Sequence, residues 1–314
     1  MSENKLKVLV WGTGSIGSLF GGLMSLLPEL DITLLGRDPH IQTVAKQGLL
    51  ISRRTSKNLR IPPIKGYSVL PSFSEPFDFI IISCKARDNA ESASDLEQKG
   101  AIGKNTNLIV LQNGVGNEEF FLHLVPKKQI YRIITTEGAL ILKAGEVMHS
   151  GPGLSSIGKP YDDNDEFSEQ LGSWLTFLGL NSMVTNEIQM KTWAKLLINA
   201  PINPIATLYH VTNGELVSNP ELRKLVEAVV NETVEIFKRR NIPLAEEDPV
   251  ASVLKVASAT ASNKCSMLQD IEKGHRTEID FLNGRLLLEA QLAGMSAPLN
   301  EELTMKIKKL EAML

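Results

Sequence analysis

Residues 8–17 read VLVWGTGSIG: an apolar run that passes at once into Gly12, Gly14 and Gly17, in G-x-G-x-x-G spacing. A short apolar run bounded by turn residues is the signature of a strand buried on both faces, as in a parallel sheet. Each glycine then has its own task. The first permits the tight turn, the second lets a pyrophosphate approach the backbone, and the third lets helix and strand pack closely. The helix N-terminus adds N–H donors and a partial positive charge. In this strand, turn and helix context, Gly12, Thr13, Gly14, Ser15, Ile16 and Gly17 form a dinucleotide phosphate cradle, and a merely structural turn is the lesser reading.

Outward from this stretch, DITLLG (31–36), FDFIIISC (77–84) and NLIVLQN (107–113) repeat the pattern, alternating with helix-length segments. YRIITTEGA (131–139) and the glycine-rich stretch to about residue 160 add a few further strands. The expected fold is α/β, with an N-terminal Rossmann-type doubly wound sheet. From about Glu187 the strand signals stop, and amphipathic patterns cover 219–240, 246–273, 277–293 and a last stretch from about 299. Asn219 before Pro220 is an N-cap with proline in the first turn, and Gly274 marks a break. A chain of 314 residues exceeds what one core usually fills. The expected domains are residues 1–185, binding the cofactor, and residues 186–314, an all-α substrate and catalytic domain.

The composition is 43% hydrophobic and 22% charged, with net charge -3 and no block of one sign, so it bears no nucleic-acid footprint. The N-terminal apolar run is broken by glycines and reads neither as a signal peptide nor as a membrane span. Cys84 and Cys265 are too few for a disulfide framework and read as small buried residues in a reducing compartment, with the cytoplasm as the expected location. The five histidines, His210 and His275 among them, show no ligand spacing, and no metal is called for.

The end of the second strand selects the cofactor. NAD binders usually carry an acid there, whereas LLGRD (34–38) offers Arg37, whose guanidinium suits a 2′-phosphate and points to NADP(H). Asp38 reads as the cap of a helix starting at Pro39; a solvated Arg37 is the plain alternative. Lys85, at the carboxyl end of the FIIISCK strand, adds a second charge where open α/β sheets bind ligands. Asn113–Gly114 ends the next strand, as a turn or as part of a site.

TWAKLLINAPINP (192–204) is apolar on every side, yet Lys195, Asn199 and Asn203 fall within one arc. A lysine rarely enters a core without a partner, although Lys191 one turn earlier leaves a surface helix open. Pro201 and Pro204 should kink this helix near the asparagines. Further polar groups follow: Asn213 in VTNGEL, then Ser266, Asp270, Glu278 and Asp280 in CSMLQDIEKGHRTEIDFLNG.

These motifs, with SCKA (83–86) and QNGVGNEE (112–119), run over essentially the whole chain and together resemble the ketopantoate reductase (2-dehydropantoate 2-reductase) family. The resemblance implies NADPH-dependent reduction of 2-dehydropantoate to pantoate in pantothenate biosynthesis, and a C-terminal domain like that of 6-phosphogluconate dehydrogenase. On it, Lys195 matches the general acid and Glu278 the acid near the substrate hydroxyls and nicotinamide ribose. Asn113, Asn199, Asn203, Asn213 and Ser266 match substrate contacts, Asn113 also touching the cofactor. Arg37 and Lys85 match the 2′-phosphate grip, and Ala139 a backbone contact to the cofactor. The implied partner is a small 2-keto acid, with neither nucleic acid nor membrane, and the chain acts as monomer or homodimer. A paralogue reducing another 2-keto acid, or an NADP(H) sensor without turnover, remain the alternatives.

Overall fold

The computed structural model describes residues 5–53 and 57–314. They form two units, one of the chain up to Gln112 with Asn117–Ile188, the other of Asn113–Gly116 with Gln189–Leu314. The first unit runs β1 (Leu6–Trp11), α1 (Ser15–Met24), β2 (Leu30–Leu35), α2 (His40–Gln47), β3 (Leu49–Arg53), β4 (Leu59–Ile61), β5 (Lys65–Tyr67) and β6 (Phe79–Ile82). It continues with α3 (Asn89–Gln98), β7 (Asn107–Val110), β8 (Ile130–Thr135), β9 (Gly138–Lys143), β10 (Glu146–Gly151), β11 (Ser155–Gly158), α4 (Glu166–Phe177) and β12 (Ser182–Val184).

Eight of these strands make one sheet in the order β12-β11-β8-β7-β6-β1-β2-β5. Neighbours are parallel except β8 and β11. The order reverses at β1, which pairs with β2 on one side and β6 on the other, the switch point where open sheets bind ligands. Alternation along β1 explains its unbroken apolar run. Val8 and Val10 pack with Leu19 and Phe20 of α1, while Leu9 and Trp11 belong to a second cluster with Ala93 and Leu96 of α3. A smaller sheet has the order β4-β3-β10-β9. Its β9 and β10 lie in the stretch expected to add strands. Strands β3, β4 and β5 leave no clear strand pattern in the sequence because they are short and carry Arg53, Arg60 and Lys65.

The second unit takes in α5 (Ile188–Tyr209) from Gln189 onward, then α6 (Glu215–Ser218), α7 (Pro220–Arg239), α8 (Pro249–Ala259), α9 (Ser266–Glu272), α10 (Asn283–Leu292) and α11 (Pro298–Glu311). Asn219 caps α7 as expected, its side chain accepting from the Glu221 and Leu222 amides. The pattern over 246–273 is two helices and not one. After Ala259 the carbonyls of Ala261 and Asn263 serve the amides of Gly214 and Asn213, which draws the backbone out of the helix until Cys265 caps α9. The 277–293 pattern likewise divides into a short 3-10 turn, Ile279–Phe281, and α10. Among the described residues no helix is long and apolar enough to cross a membrane.

Pro201 and Pro204 do not break α5, which runs through both. Pro204 has no N–H, so the Ala200 carbonyl one turn earlier loses its helical donor. The Asn283 side chain supplies one, its Nδ2 lying 2.9 Å from that carbonyl and 2.9 Å from Asn300 Oδ1. Asn300 in turn donates to Glu232, which also accepts from the Leu299 and Asn300 amides. The chain of bonds joins α5, α7, α10 and α11. Asn283→Leu would strand a buried carbonyl, and urea denaturation should show about 1–3 kcal/mol of lost stability. Wild-type stability in that variant would mean the carbonyl is served some other way.

Candidate active site

In the first unit, the chain leaves β1 through Gly12 at φ +103°. A Cβ there would lie 2.2 Å from the Cys84 amide nitrogen, so the position admits glycine alone. The Gly12 carbonyl accepts from Ser83 Oγ at 2.8 Å. Gly17 is equally closed, since its Cβ would meet the Gly12 carbonyl at 2.1 Å. Gly14 differs. An added Cβ would find nothing within 4 Å, and Gly14 is the N-cap of α1 with no side chain capping the helix. Two glycines thus lock the turn while the third leaves uncapped helix N–H groups beside open space, which fits a dinucleotide pyrophosphate. Thr13 is buried, and Ser15 and Ile16 are half-buried. Gly36, overlooked in the sequence, is forced by the same crowding, because its Cβ would sit 1.5 Å from Thr13 Oγ1.

Arg37 is exposed and its guanidinium lies 3.8 Å from Asp88 Oδ2. Asp88 ends the 3-10 turn that Lys85 begins, its amide donating to the Lys85 carbonyl, so Arg37 and Lys85 stand at one corner of the unit. Asp38 does not cap a helix. The α2 helix starts at His40 without a side-chain cap, and Asp38 accepts from Gln42 Nε2 instead. Ala139 is in β9, paired with His149 of β10. His40 Nε2 lies 3.0 Å from Ser18 Oγ, which donates to the Thr13 carbonyl, and His40 Nδ1 accepts from the Gly145 amide. This buried imidazole ties the glycine turn to the β9–β10 hairpin. Burial holds it below its ordinary pKa of 6.5, while a backbone hydrogen bond at Lys143 pulls the other way.

In the second unit, Asn113, Asn203, Ser266, Met267, Asp270, Glu278 and Leu282 line one recess. Glu278 is 8% exposed, and its Oε2 accepts from Asn113 Nδ2 at 3.3 Å. Its neighbour Thr277 is pinned through amide and hydroxyl, each 2.6 Å from Glu311 of α11. Gly114 brings Asn113 into place. At φ +89° it passes the Phe281 carbonyl so closely that a Cβ would lie 2.5 Å from the oxygen. Cys265 donates to the Asn203 carbonyl at 3.5 Å and so couples α5 to the start of α9, where Ser266 stands exposed. Asp270, four residues on, lines the same recess although it is not among the expected contacts; its one-turn helical spacing from Ser266 is the signal for it in the sequence. Asp280 does not join the recess and pairs with Lys308 at 2.6 Å.

Lys195 and Asn199 do not line the recess. Both are half-buried on α5, and with Asn203 they form a stripe within an ~80° arc. The helix is therefore less buried than its sequence suggests. Asn213 lies apart from the recess too, at the α5–α6 turn, donating to Thr260 Oγ1 at 2.8 Å, and its buried Oδ1 accepts no hydrogen bond among the described residues.

Residues 8–161 match the sequence profile of the family described as Ketopantoate reductase PanE/ApbA, and residues 187–311 that of its C-terminal part, Ketopantoate reductase PanE/ApbA C terminal. The chain belongs to the ketopantoate reductase family. It is 35% identical to the 2-dehydropantoate 2-reductase of Pyrococcus horikoshii and 32% identical to that of Archaeoglobus fulgidus, each over 98% of both chains. Among solved structures, the 2-dehydropantoate 2-reductase of Geobacter metallireducens shares the fold, with a TM-score of 0.88 at 23% identity over 97% of this chain and 99% of the other. A ternary structure of D-mandelate dehydrogenase with NADH and anilino(oxo)acetate gives 0.86 at 25% identity over 98% and 99%.

Two expectations test the first unit. Gly12→Ala should lower the melting temperature, the positive φ alone costing about 1–2 kcal/mol before the clash, whereas Gly14→Ala should melt with wild type yet bind reduced nicotinamide dinucleotide more weakly in a fluorescence titration. Equal binding by Gly14→Ala would remove the cradle reading. The second concerns pH. The unfolded chain binds the His40 proton at higher pH than the folded one, so this contribution is complete above pH 6.5 and is lost as pH falls through the lower folded value. Urea midpoints should therefore drop between about pH 7.5 and about pH 5 by less in His40→Gln than in wild type. An equal drop in both would show that His40 does not titrate this way.

Proposed function

We propose that this chain reduces 2-dehydropantoate to pantoate with NADPH, in pantothenate biosynthesis, with Lys195 as general acid. The observation that carries the reading is the recess itself: a buried Glu278 bonded to Asn113, with Asn203 and Ser266 on the same wall, in a chain that belongs to the ketopantoate reductase family. Such a set offers hydrogen bonds to the hydroxyl and carboxylate of a hydroxylated keto acid. Asn199 extends the set along α5, while Asn213, with its Oδ1 buried apart from the recess, is left out of it.

When bound, reduced nicotinamide dinucleotide supplies the hydride. The backbone of Gly12–Gly17 would hold its pyrophosphate, Arg37 and Lys85 a 2′-phosphate, the Ala139 backbone, Asn113 and Glu278 the nicotinamide end. As the ketone oxygen gains negative charge, the Lys195 ammonium stabilises it and then gives up its proton, leaving a hydroxyl on the substrate. Glu278 keeps the substrate hydroxyls oriented.

The likeness to D-mandelate dehydrogenase in complex with NADH favours one second reading, a reductase of another 2-keto acid. A panel of 2-keto acids with NADPH and NADH separates the two. The expected result is highest kcat/KM for 2-dehydropantoate with NADPH, and a preference over NADH that narrows in Arg37→Ala by the loss of charged hydrogen bonds worth about 1.5–3 kcal/mol. Lys195→Ala should bind NADPH normally and lose roughly 10² to 10⁴ in kcat, while Lys191→Ala, one turn away, stays near wild type. An active Lys195→Ala would overturn the assignment of the acid.

A further inference from the structure

Five polar side chains are buried around the ends of the Asn113–Gly116 loop, and the reduction mechanism uses none of them. Asn89 and Asn117 have no exposed surface, Arg132 is 2% exposed, Glu118 5% and Gln112 7%. Gln112 immediately precedes the loop and Asn117 immediately follows it. Asn89, the first residue of α3, holds both. Its Oδ1 accepts from Gln112 Nε2 at 2.7 Å and its Nδ2 donates to Asn117 Oδ1 at 3.0 Å. Gln112 Nε2 also reaches the Cys84 carbonyl at 2.8 Å. Arg132 of β8 donates to the Gln112 carbonyl at 3.0 Å and pairs with Glu118, so it grips both ends a second time.

Burying a charged pair and three amides is a weak route to stability, since apolar side chains of similar size serve as well or better; the best-attested use of such a network is to specify one geometry. Here the geometry is that of a short loop with Gly114 at φ +89° and Gly116 at φ +90°, a backbone with considerable freedom of its own. Its far side is anchored by Val115, which is buried in the helical unit and donates its amide to the Phe281 carbonyl at 3.3 Å. The result is that Asn113 meets Glu278.

We propose that Asn89 and Arg132 are positioning residues: by fixing Gln112 and Asn117, they set where the Asn113 side chain stands and hence how the keto acid is held. The inference rests on the proposed reading of Asn113 as a substrate contact. Two measurements on the full-length chain keep the readings distinguishable. In Asn89→Ala, kcat/KM for 2-dehydropantoate should fall about tenfold, chiefly through KM, with NADPH affinity within about twofold of wild type, as the loss of one buried hydrogen-bond pair implies. Asn89→Ala/Asn113→Ala should be no worse than Asn113→Ala alone, because the clamp acts only through that side chain. Losses that simply add would make Asn89 a merely structural residue and overturn the proposal. Independently of turnover, hydrogen exchange of a peptide spanning residues 111–121 should quicken in Asn89→Ala while the peptide over the Gly12–Gly17 turn is unchanged; unchanged exchange in both also overturns it. A fully active Asn113→Ala would remove the substrate reading of that residue, and with it the catalytic consequence of the clamp, while the exchange measurement still decides whether the clamp exists. If Asn89→Ala does not fold, Asn117→Ala severs one of its two bonds from the other end and is judged by the same outcomes.

Discussion

The carbonyl of Ala200 is the group on which the second unit turns. It lies inside a long helix, Pro204 has removed its donor, and its residue is fully buried, so no water can take the donor's place. Asn283 answers it from α10, and what Asn283 needs in turn recruits Asn300 and Glu232. The same stretch of α5 carries Asn203, whose carbonyl accepts from Thr207 Oγ1 at 2.7 Å and from Cys265. Cys265 caps α9 by accepting from the Leu268 amide, and α9 presents Ser266 and Asp270 to the recess. A proline that looks like a helix defect therefore leaves a polar demand in a dry place, and meeting it ties α5 to α7, α10 and α11, while the Asn203 carbonyl nearby ties α5 to α9 and its recess-lining residues.

The two units solve opposite problems. The glycine turn of the first is made by backbone lying on backbone, with Gly12 against Cys84 and Gly17 against Gly12, and it leaves the main-chain N–H groups of the helix start uncapped by any side chain. The recess of the second is made of side chains. Its character is set by which amide, hydroxyl or carboxylate stands at each position, whereas the turn depends on backbone alone.

The Asn113–Gly116 loop belongs to the second unit although the chain on either side belongs to the first. Gly114 allows the approach to Phe281, and the Asn89 and Arg132 network holds the residues at both ends. The segment QNGVGNEE contains both halves of this device. Gln112, Asn117 and Glu118 sit beside the glycines in the sequence, yet their partners Asn89 and Arg132 are more than ten residues away in either direction, and no local pattern links them.

The sequence alone determined the βαβ order, the glycine turn, Arg37 in place of an acid, the all-helical second half and the Lys195, Asn199, Asn203 stripe, because each depends on residues within a few positions of one another, where periodicity and spacing carry the physics. Tertiary structure decided the rest. The split of 246–273 came from backbone carbonyls claimed by Asn213 and Gly214, nearly fifty residues earlier by number; the continuity of α5 through two prolines came from Asn283; and the gathering of Asn113, Asn203, Ser266, Asp270 and Glu278 around one recess came from turns whose partners lie on other helices. A buried polar group must be satisfied by whatever part of the chain the fold brings near, and that neighbour is set by packing in three dimensions rather than by distance along the chain.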